Sequence, residues 1–175
     1  MEAKHRKTPI DSFIFDWINA NLDHALILIP VFAFAEACVG VGLFISGIFL
    51  VAIATLILDQ QAASLYSITV LAFIGALLGD HVGYYAGRWM GPQVEQIDLI
   101  KKRQESFDKG TRILKKFGPF AIFFGRFIPA IRSIIPALLG VTKFEKIKFT
   151  LLDTLACSLW SVALAAIIFG IDNLI

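Results

Sequence analysis

Charge is scarce in this chain. Only 17% of its 175 residues are charged, against 57% hydrophobic; soluble domains run near about 25% and about 45–50%. That balance excludes an ordinary soluble domain and implies an integral membrane protein. Cysteine is nearly absent. Cys38 and Cys157 stand alone in apolar runs, which excludes a disulfide framework and a cysteine metal site and leaves each as a small buried hydrophobe. The histidines, His5, His24 and His81, are scattered. No metal, cofactor or nucleic-acid partner is therefore expected. A signal peptide is not expected either: Asp11, Asp16 and Asp23 interrupt the apolar run after the basic residues 1–7, and no small-residue cleavage site follows.

What is present is placed at a cost. Residues 116–140 are apolar enough to enter a bilayer, yet they hold Arg126, Arg132, three prolines and three glycines. An arginine at the centre of a membrane helix costs about 2.5–3.5 kcal/mol on insertion scales. Proline removes a backbone donor and discourages a straight helix, and broken backbone at membrane depth survives only against protein or a wet cavity. On a continuous helix Arg126 and Arg132 would point roughly 120° apart. A bend at Pro129 lets them converge. Residues 117–140 therefore read as a broken, re-entrant hairpin holding two guanidiniums in a polar pocket; the plainer reading is a surface loop with arginines snorkelling to headgroups.

In chain order, residues 9–21 read as a short amphipathic helix, with Ile10, Phe13, Ile14, Trp17 and Ile18 on one face, lying in the membrane interface. Residues 22–58 exceed the roughly 20 residues of one crossing and contain Pro30, Gly40, Gly42, Gly47 and, beyond Asp23 at their start, one acid, Glu36. They divide into a broken hairpin, 24–45, and a crossing helix, 46–58. An acid inside a membrane segment is a functional candidate, or a structural partner for an arginine. After the polar turn Asp59-Gln60-Gln61, glycines recur every fourth residue at Gly75, Gly79, Gly83, Gly87 and Gly91, the small-xxx-small pattern of closely packed membrane helices. Asp80, Tyr84 and Arg88 share an adjoining face. Asp80 either links to Arg88 through Tyr84 or water, or faces the hairpin arginines.

Residues 92–116 are polar, with seven lysines and arginines between 101 and 116 against Glu105 and Asp108. They read as a basic amphipathic helix on the cytoplasmic surface, or as a merely solvated one. Lys143, Lys146 and Lys148 follow the hairpin. Basic flanks on both sides place both ends in the cytoplasm, so 117–140 re-enters rather than crosses, and 149–171 makes a final crossing. The fold class is thus all-α and integral to the membrane: two broken re-entrant hairpins, each followed by a transmembrane helix, with amphipathic interfacial helices. A basic, interfacial segment, 1–21, precedes one membrane domain, 22–175. The hairpin–crossing repeat is how many transporters build a mid-membrane site.

Gly79-Asp80-x-x-Gly83-Tyr84-x-x-Gly87-Arg88 and Gly125-Arg126-Phe127-Ile128-Pro129-x-x-Arg132, joined by a basic helix, resemble the DedA family, the bacterial branch of the VTT-domain (SNARE-associated Golgi protein) membrane proteins. Glu36 and Trp160 also fit, and the resemblance covers about residues 24–171. It implies two facing re-entrant hairpins and multi-pass residence in the bacterial inner membrane. It implies movement of lipid phosphates, notably undecaprenyl phosphate recycling, coupled to the proton gradient. Arg126 and Arg132 match positions that would bind the lipid phosphate; Glu36 and Asp80 would serve proton coupling or charge pairing. Gly79, Gly83, Tyr84, Gly87, Arg88, Gly125, Pro129 and Pro136 would be structural. The chain departs from the family after Glu36, where residues 39–47 carry neither the usual prolines nor a second acid.

The residues themselves suggest anion handling. Arginine grips phosphate with a planar fork, and Glu36 can neutralise the arginines when no ligand is bound. Protonation of Glu36 would free them for the lipid phosphate. The expected partners are undecaprenyl phosphate or an anionic phospholipid, and protons; an oligomer is compatible. The rivals are a non-transporting membrane assembly or homeostasis factor, and a lipid phosphatase. The latter would need a nucleophile with a base, and Ser133 has no histidine near it in sequence.

Overall fold

The computed structural model describes residues 22–38, 41, 47–91, 93, 101–102, 104–129 and 131–172. The interfacial helix expected at 9–21, with the basic start before it, lies outside the described residues, as does most of the turn of the first hairpin. Among the described residues the chain is helical without strands. In order come α1 (Leu22–Ala37), α2 (Gly47–Asp59), α3 (Leu65–Met90), α4 (Gln104–Phe117), a 3-10 turn (Gly118–Phe120), α5 (Ala121–Arg126), α6 (Ile134–Val141) and α7 (Lys146–Asp172).

Helix α3 is the axis. The Ser64 hydroxyl accepts from the Ser67 N–H and caps its start, and Gly91 ends it at φ 58°. Its glycines are contact points. A Cβ on Gly75 would lie 2.8 Å from the Pro30 Cα, and one on Gly79 would lie 2.6 Å from the Phe34 oxygen, so this half of the stripe seats α1. Farther along, Gly87 faces the Ala137 backbone, and Gly140 of α6 in turn faces the Tyr84 and Arg88 backbone. Gly83 is buried on the same side. Lipid is as apolar as leucine, so helices in a bilayer associate through such close approach rather than through escape from water. The opposite side of α3 exposes Ile74, Leu78, Val82, Tyr85 and Trp89, the last to 88%. Helix α7 likewise exposes Ile147, Leu151, Leu155, Leu159 and Val162. Contiguous apolar stripes of this size mark a surface made for lipid or protein, not water.

Among the described residues two helices, Leu65–Met90 and Lys146–Ile171, are long and apolar enough to cross a membrane, at 26 residues each. The crossing helix expected at 46–58 is present as α2 but has only 13 residues. It rises about 20 Å at 1.5 Å per residue, against a hydrocarbon core of about 30 Å. The polar Asp59-Gln60-Gln61 turn stops it. The long helix that follows the first pair of short helices is instead α3, and α7 follows the second pair. Helix α4 turns Phe107 and Gly110 inward against α6 and keeps Lys109, Arg112, Lys115 and Lys116 exposed, so its apolar face is covered by protein.

The apolar interior is divided. One core gathers Ile29 and Ala33 of α1, Leu50 and Ile57 of α2, Ile68 and Ala72 of α3, and Ile168 of α7. The other gathers Tyr84, Phe107, Ile122, Ile135, Leu139 and Phe149. Between them α3 places Asp80, and α7 places Asp153 and Cys157. A charged layer lies between two apolar ones.

Candidate functional site

Arg126 is the last residue of α5, and Arg132 stands in the turn before α6. The helix stops before Pro129 rather than bending at it. The turn satisfies its own backbone: the Ile131 and Arg132 N–H groups both donate to the Ile128 carbonyl at 3.1 Å, which lets irregular chain stay buried. Gly125 packs α5 on α6, since a Cβ there would lie 2.6 Å from Ile135 Cγ1. Pro136 sits in the first turn of α6, where its missing N–H has no intrahelical acceptor to lose. The break brings both arginines onto one cavity of about 420 Å³, lined also by Glu36, Gly47, Pro129 and Trp160 and bounded by Ile48 and Val51 of α2 and Ala163, Leu164 and Ile167 of α7.

Each guanidinium has a carboxylate partner. Arg132 Nη1 donates to Glu36 Oε1 at 2.5 Å. Arg126 Nη1 donates to Asp80 Oδ2 and lies 3.6 Å from Asp153 Oδ1. All five side chains are buried. Gly47 makes the room for Glu36: a Cβ there would lie 2.8 Å from Glu36 Oε1. The Trp160 ring stands 4.7 Å from the Arg132 guanidinium carbon and 5.4 Å from that of Arg126, and this cation–π contact holds both forks without using their N–H groups. Arg126 Nε and Nη2, Arg132 Nη2 and Glu36 Oε2 are buried with no hydrogen-bond partner. Leaving such groups unmet costs about 1–3 kcal/mol each, more when charged, so three guanidinium nitrogens and one carboxylate oxygen stand ready for a ligand.

Of the two alternatives open for Asp80, the structure takes the hairpin arginine. Arg88 Nη1 donates instead to the Tyr84 hydroxyl at 3.1 Å and the Phe144 carbonyl at 3.0 Å, and the Tyr84 hydroxyl donates to the same carbonyl. Eight residues of helix separate Asp80 and Arg88 by about 12 Å, too far for contact. Tyr84 and Arg88 tie the end of α3 to the turn before α7.

Three participants, two of them buried, lay outside the sequence-based set. Asp153 is one: an acid within an apolar helix, it carried the signal that singled out Glu36. Cys157, four residues on, is not a bare hydrophobe, since its thiol lies 3.7 Å from both the Asp80 and Asp153 carboxylates. These three place donor atoms within 4.8 Å of one another, but the Arg126 guanidinium is the cation they surround. His81 is the third; its Nδ1 lies 3.4 Å from Asp153 Oδ2. Ser133 Oγ is buried without a hydrogen-bond partner, and no described base touches it.

The VTT domain family matches residues 29–169. An uncharacterized membrane protein of Buchnera aphidicola subsp. Acyrthosiphon pisum (strain APS) is 29% identical over 151 residues, 86% of this chain and 59% of its own length. The inner membrane protein YabI of Escherichia coli (strain K12) is 25% identical over 82% of this chain and 57% of its own. A protein of Lactococcus lactis subsp. cremoris (strain MG1363) named alkaline phosphatase-like is 31% identical over 56% of this chain and 49% of its own. The chain thus spans about half to three-fifths of the length of these relatives. No solved structure matches it. With a match over most of its length and the charged layer where the two motifs meet, the chain belongs to the VTT-domain (DedA) family of membrane proteins.

Proposed function

We propose that the protein moves lipid phosphates across a bacterial inner membrane, with Arg126 and Arg132 gripping the phosphate and Glu36 and Asp80 pairing with them while the site is empty. One observation carries this reading: three guanidinium nitrogens without a hydrogen-bond partner, on two arginines that line one cavity. A tetrahedral anion offers acceptors to both forks at once. Apolar side chains of α2 and α7 bound the cavity, so a lipid tail can remain among them while the head occupies the charged layer. Asp80 lies about 22 Å along α3 from its start at 1.5 Å per residue, which puts the site at mid-depth if that helix crosses.

In this reading α1–α2 and α5–α6 are the two re-entrant pairs, each preceding a long crossing helix. The lipid phosphate competes with Glu36 for Arg132 and with Asp80 for Arg126. Undecaprenyl phosphate is the substrate favoured by the family resemblance, with anionic phospholipid next. A phosphatase would require a paired nucleophile, and Ser133 lacks one among the described residues. Movement of fluorescent lipid phosphates between leaflets of proteoliposomes tests the reading. Transport by the parent protein, lost in Arg126→Lys and Arg132→Lys at equal protein incorporation, supports it. Folded parent protein that moves none of a panel of lipid phosphates points to an assembly factor instead; phosphate released from the lipid points to an enzyme.

A further inference from the structure

The charged layer does not balance. Among the described residues, Glu36, Asp80 and Asp153 face Arg126 and Arg132, three buried carboxylates against two buried guanidiniums. A buried unpaired charge is costly, so a third cation or a bound proton belongs to the cluster. His81 stands where that cation is needed. Its Nδ1 lies 2.9 Å from the Leu77 carbonyl and 3.4 Å from Asp153 Oδ2. Both are acceptors, so Nδ1 carries a hydrogen whichever form the ring takes. Its Nε2 lies 3.1 Å from the Thr150 hydroxyl, which can donate to a neutral ring or accept from a charged one. The His81 side chain is 22% exposed while Asp153 is fully buried. It opens on a groove lined by Phe34, Leu78, Val82, Tyr85 and Trp89, a set of residues that shares none with the arginine cavity.

We infer that His81 is a positioning residue for the anion site: by taking a proton at Nε2 it becomes the partner of Asp153 and leaves Arg126 free to hold the phosphate. The inference rests on the reading of Arg126 and Arg132 as the phosphate site. A proton from the His81 side converts three acids against two cations into three against three. The arriving anion then meets a guanidinium that one carboxylate fewer competes for. With the ring neutral, Asp153 turns its whole charge on Arg126 and opposes the anion. Among the described residues the charged and titratable groups around His81 are Asp153 from α7, with Cys157 and Arg126 beyond it, and Asp80, Tyr84 and Tyr85 from α3, beside the Thr150 hydroxyl. Lys146 stands over the Tyr85 ring at 5.8 Å, and α1 contributes only Phe34 to the groove. Histidine is the side chain whose ordinary titration falls between about pH 5 and 8.

By linkage, phosphate binding must then take up a proton at His81. The probe is dihexanoyl phosphatidylglycerol, a phosphodiester whose single charge is constant over about pH 5.5–8.5, so that only the protein titrates. Calorimetry of the detergent-solubilised full chain, in two buffers of different ionisation enthalpy, counts protons taken up per ligand bound. Relative to the parent, His81→Gln is expected to take up nearly one proton fewer and to lose up to about tenfold per pH unit of the parent's pH dependence. Asp153→Asn, which keeps the imidazole and removes the link to Arg126, is expected to lose the same increment. Equal uptake in parent and His81→Gln overturns the inference while leaving the arginine site intact. If His81→Gln does not fold, a parent protein that binds the probe without taking up a proton at any pH in that range overturns it as well. Failure of the parent to bind the probe through Arg126 and Arg132 at any pH would overturn both the inference and the reading beneath it.

Discussion

Neutralising one member of a buried ion pair strands the other, and the two arginines of this site are not equally exposed to that loss. Arg132 has one carboxylate, Glu36 Oε1, at 2.5 Å. With an effective dielectric of about 20, unit charges at that distance attract by about 7 kcal/mol before desolvation is counted. Glu36→Gln removes all of it and leaves Arg132 beside a second arginine. The measured cost of breaking such a pair is about 3–5 kcal/mol. Arg126 has two carboxylates. Asp80→Asn removes one, but Asp153 remains 3.6 Å away, retaining about 5 kcal/mol of gross attraction on the same scale. It also relieves repulsion between two carboxylates whose oxygens lie within 4.8 Å. Asp80→Asn is therefore expected to cost about 1–2 kcal/mol, no more than an ordinary lost hydrogen bond. Unfolding free energies from SDS titration in mixed micelles would measure both. Equal destabilisation by the two variants, or a Glu36→Gln variant as stable as the parent, would refute the pairing described here. The double variant Glu36→Gln/Arg132→Gln removes both charges and is expected to regain most of the stability but none of the lipid-phosphate binding. A double variant that transports at the parent's rate would rule the pair out as part of the working site.

Three other outcomes are expected. Arg126→Lys and Arg132→Lys keep the charge but lose the planar fork, so each should weaken phosphate binding by about tenfold or more while protein accumulates normally; retained binding in both would show that charge alone suffices. Gly79→Ala puts a Cβ 2.6 Å from the Phe34 oxygen and should cost about 1–3 kcal/mol, whereas Gly170→Ala meets no atom within 4 Å and should be neutral or stabilising by up to about 1 kcal/mol. Thermal unfolding of the two variants side by side checks the stripe, and equal effects would count against it. In a background lacking Cys38 and Cys157, Leu114→Cys and Lys143→Cys should both label from the cytoplasmic side; labelling from opposite faces would sink the re-entrant topology.

Several features were legible in the sequence because their physics is local or because they are costly. Glycines four apart define one face of any helix, whatever packs there, and the structure uses Gly75, Gly79 and Gly87 at close contacts. Arginines and an acid within apolar runs cannot be left unpartnered in a membrane, so Glu36, Arg126 and Arg132 declared themselves, and a proline between the arginines announced the break. The same rule applied to Asp153 would have found it, since Asp153, Cys157 and Trp160 share one helical face at spacings of four and three.

Composition determined by itself that the chain is a membrane protein, that its charges are few and deliberate, and that one helix is built for close approach. These follow from residue type and spacing, which no packing arrangement can change. Only the tertiary structure decided who pairs with whom. Glu36 meets Arg132 across 96 positions and Asp80 meets Arg126 across 46, because α1 and α6 both dock on the glycine stripe of α3 and α7 closes behind them. It also decided that Trp160 lies against both guanidiniums and that His81 reaches Asp153. Each of these depends on the relative position of helices distant in sequence, and an opposite charge is equally attractive to every arginine until packing brings one of them within a few ångströms.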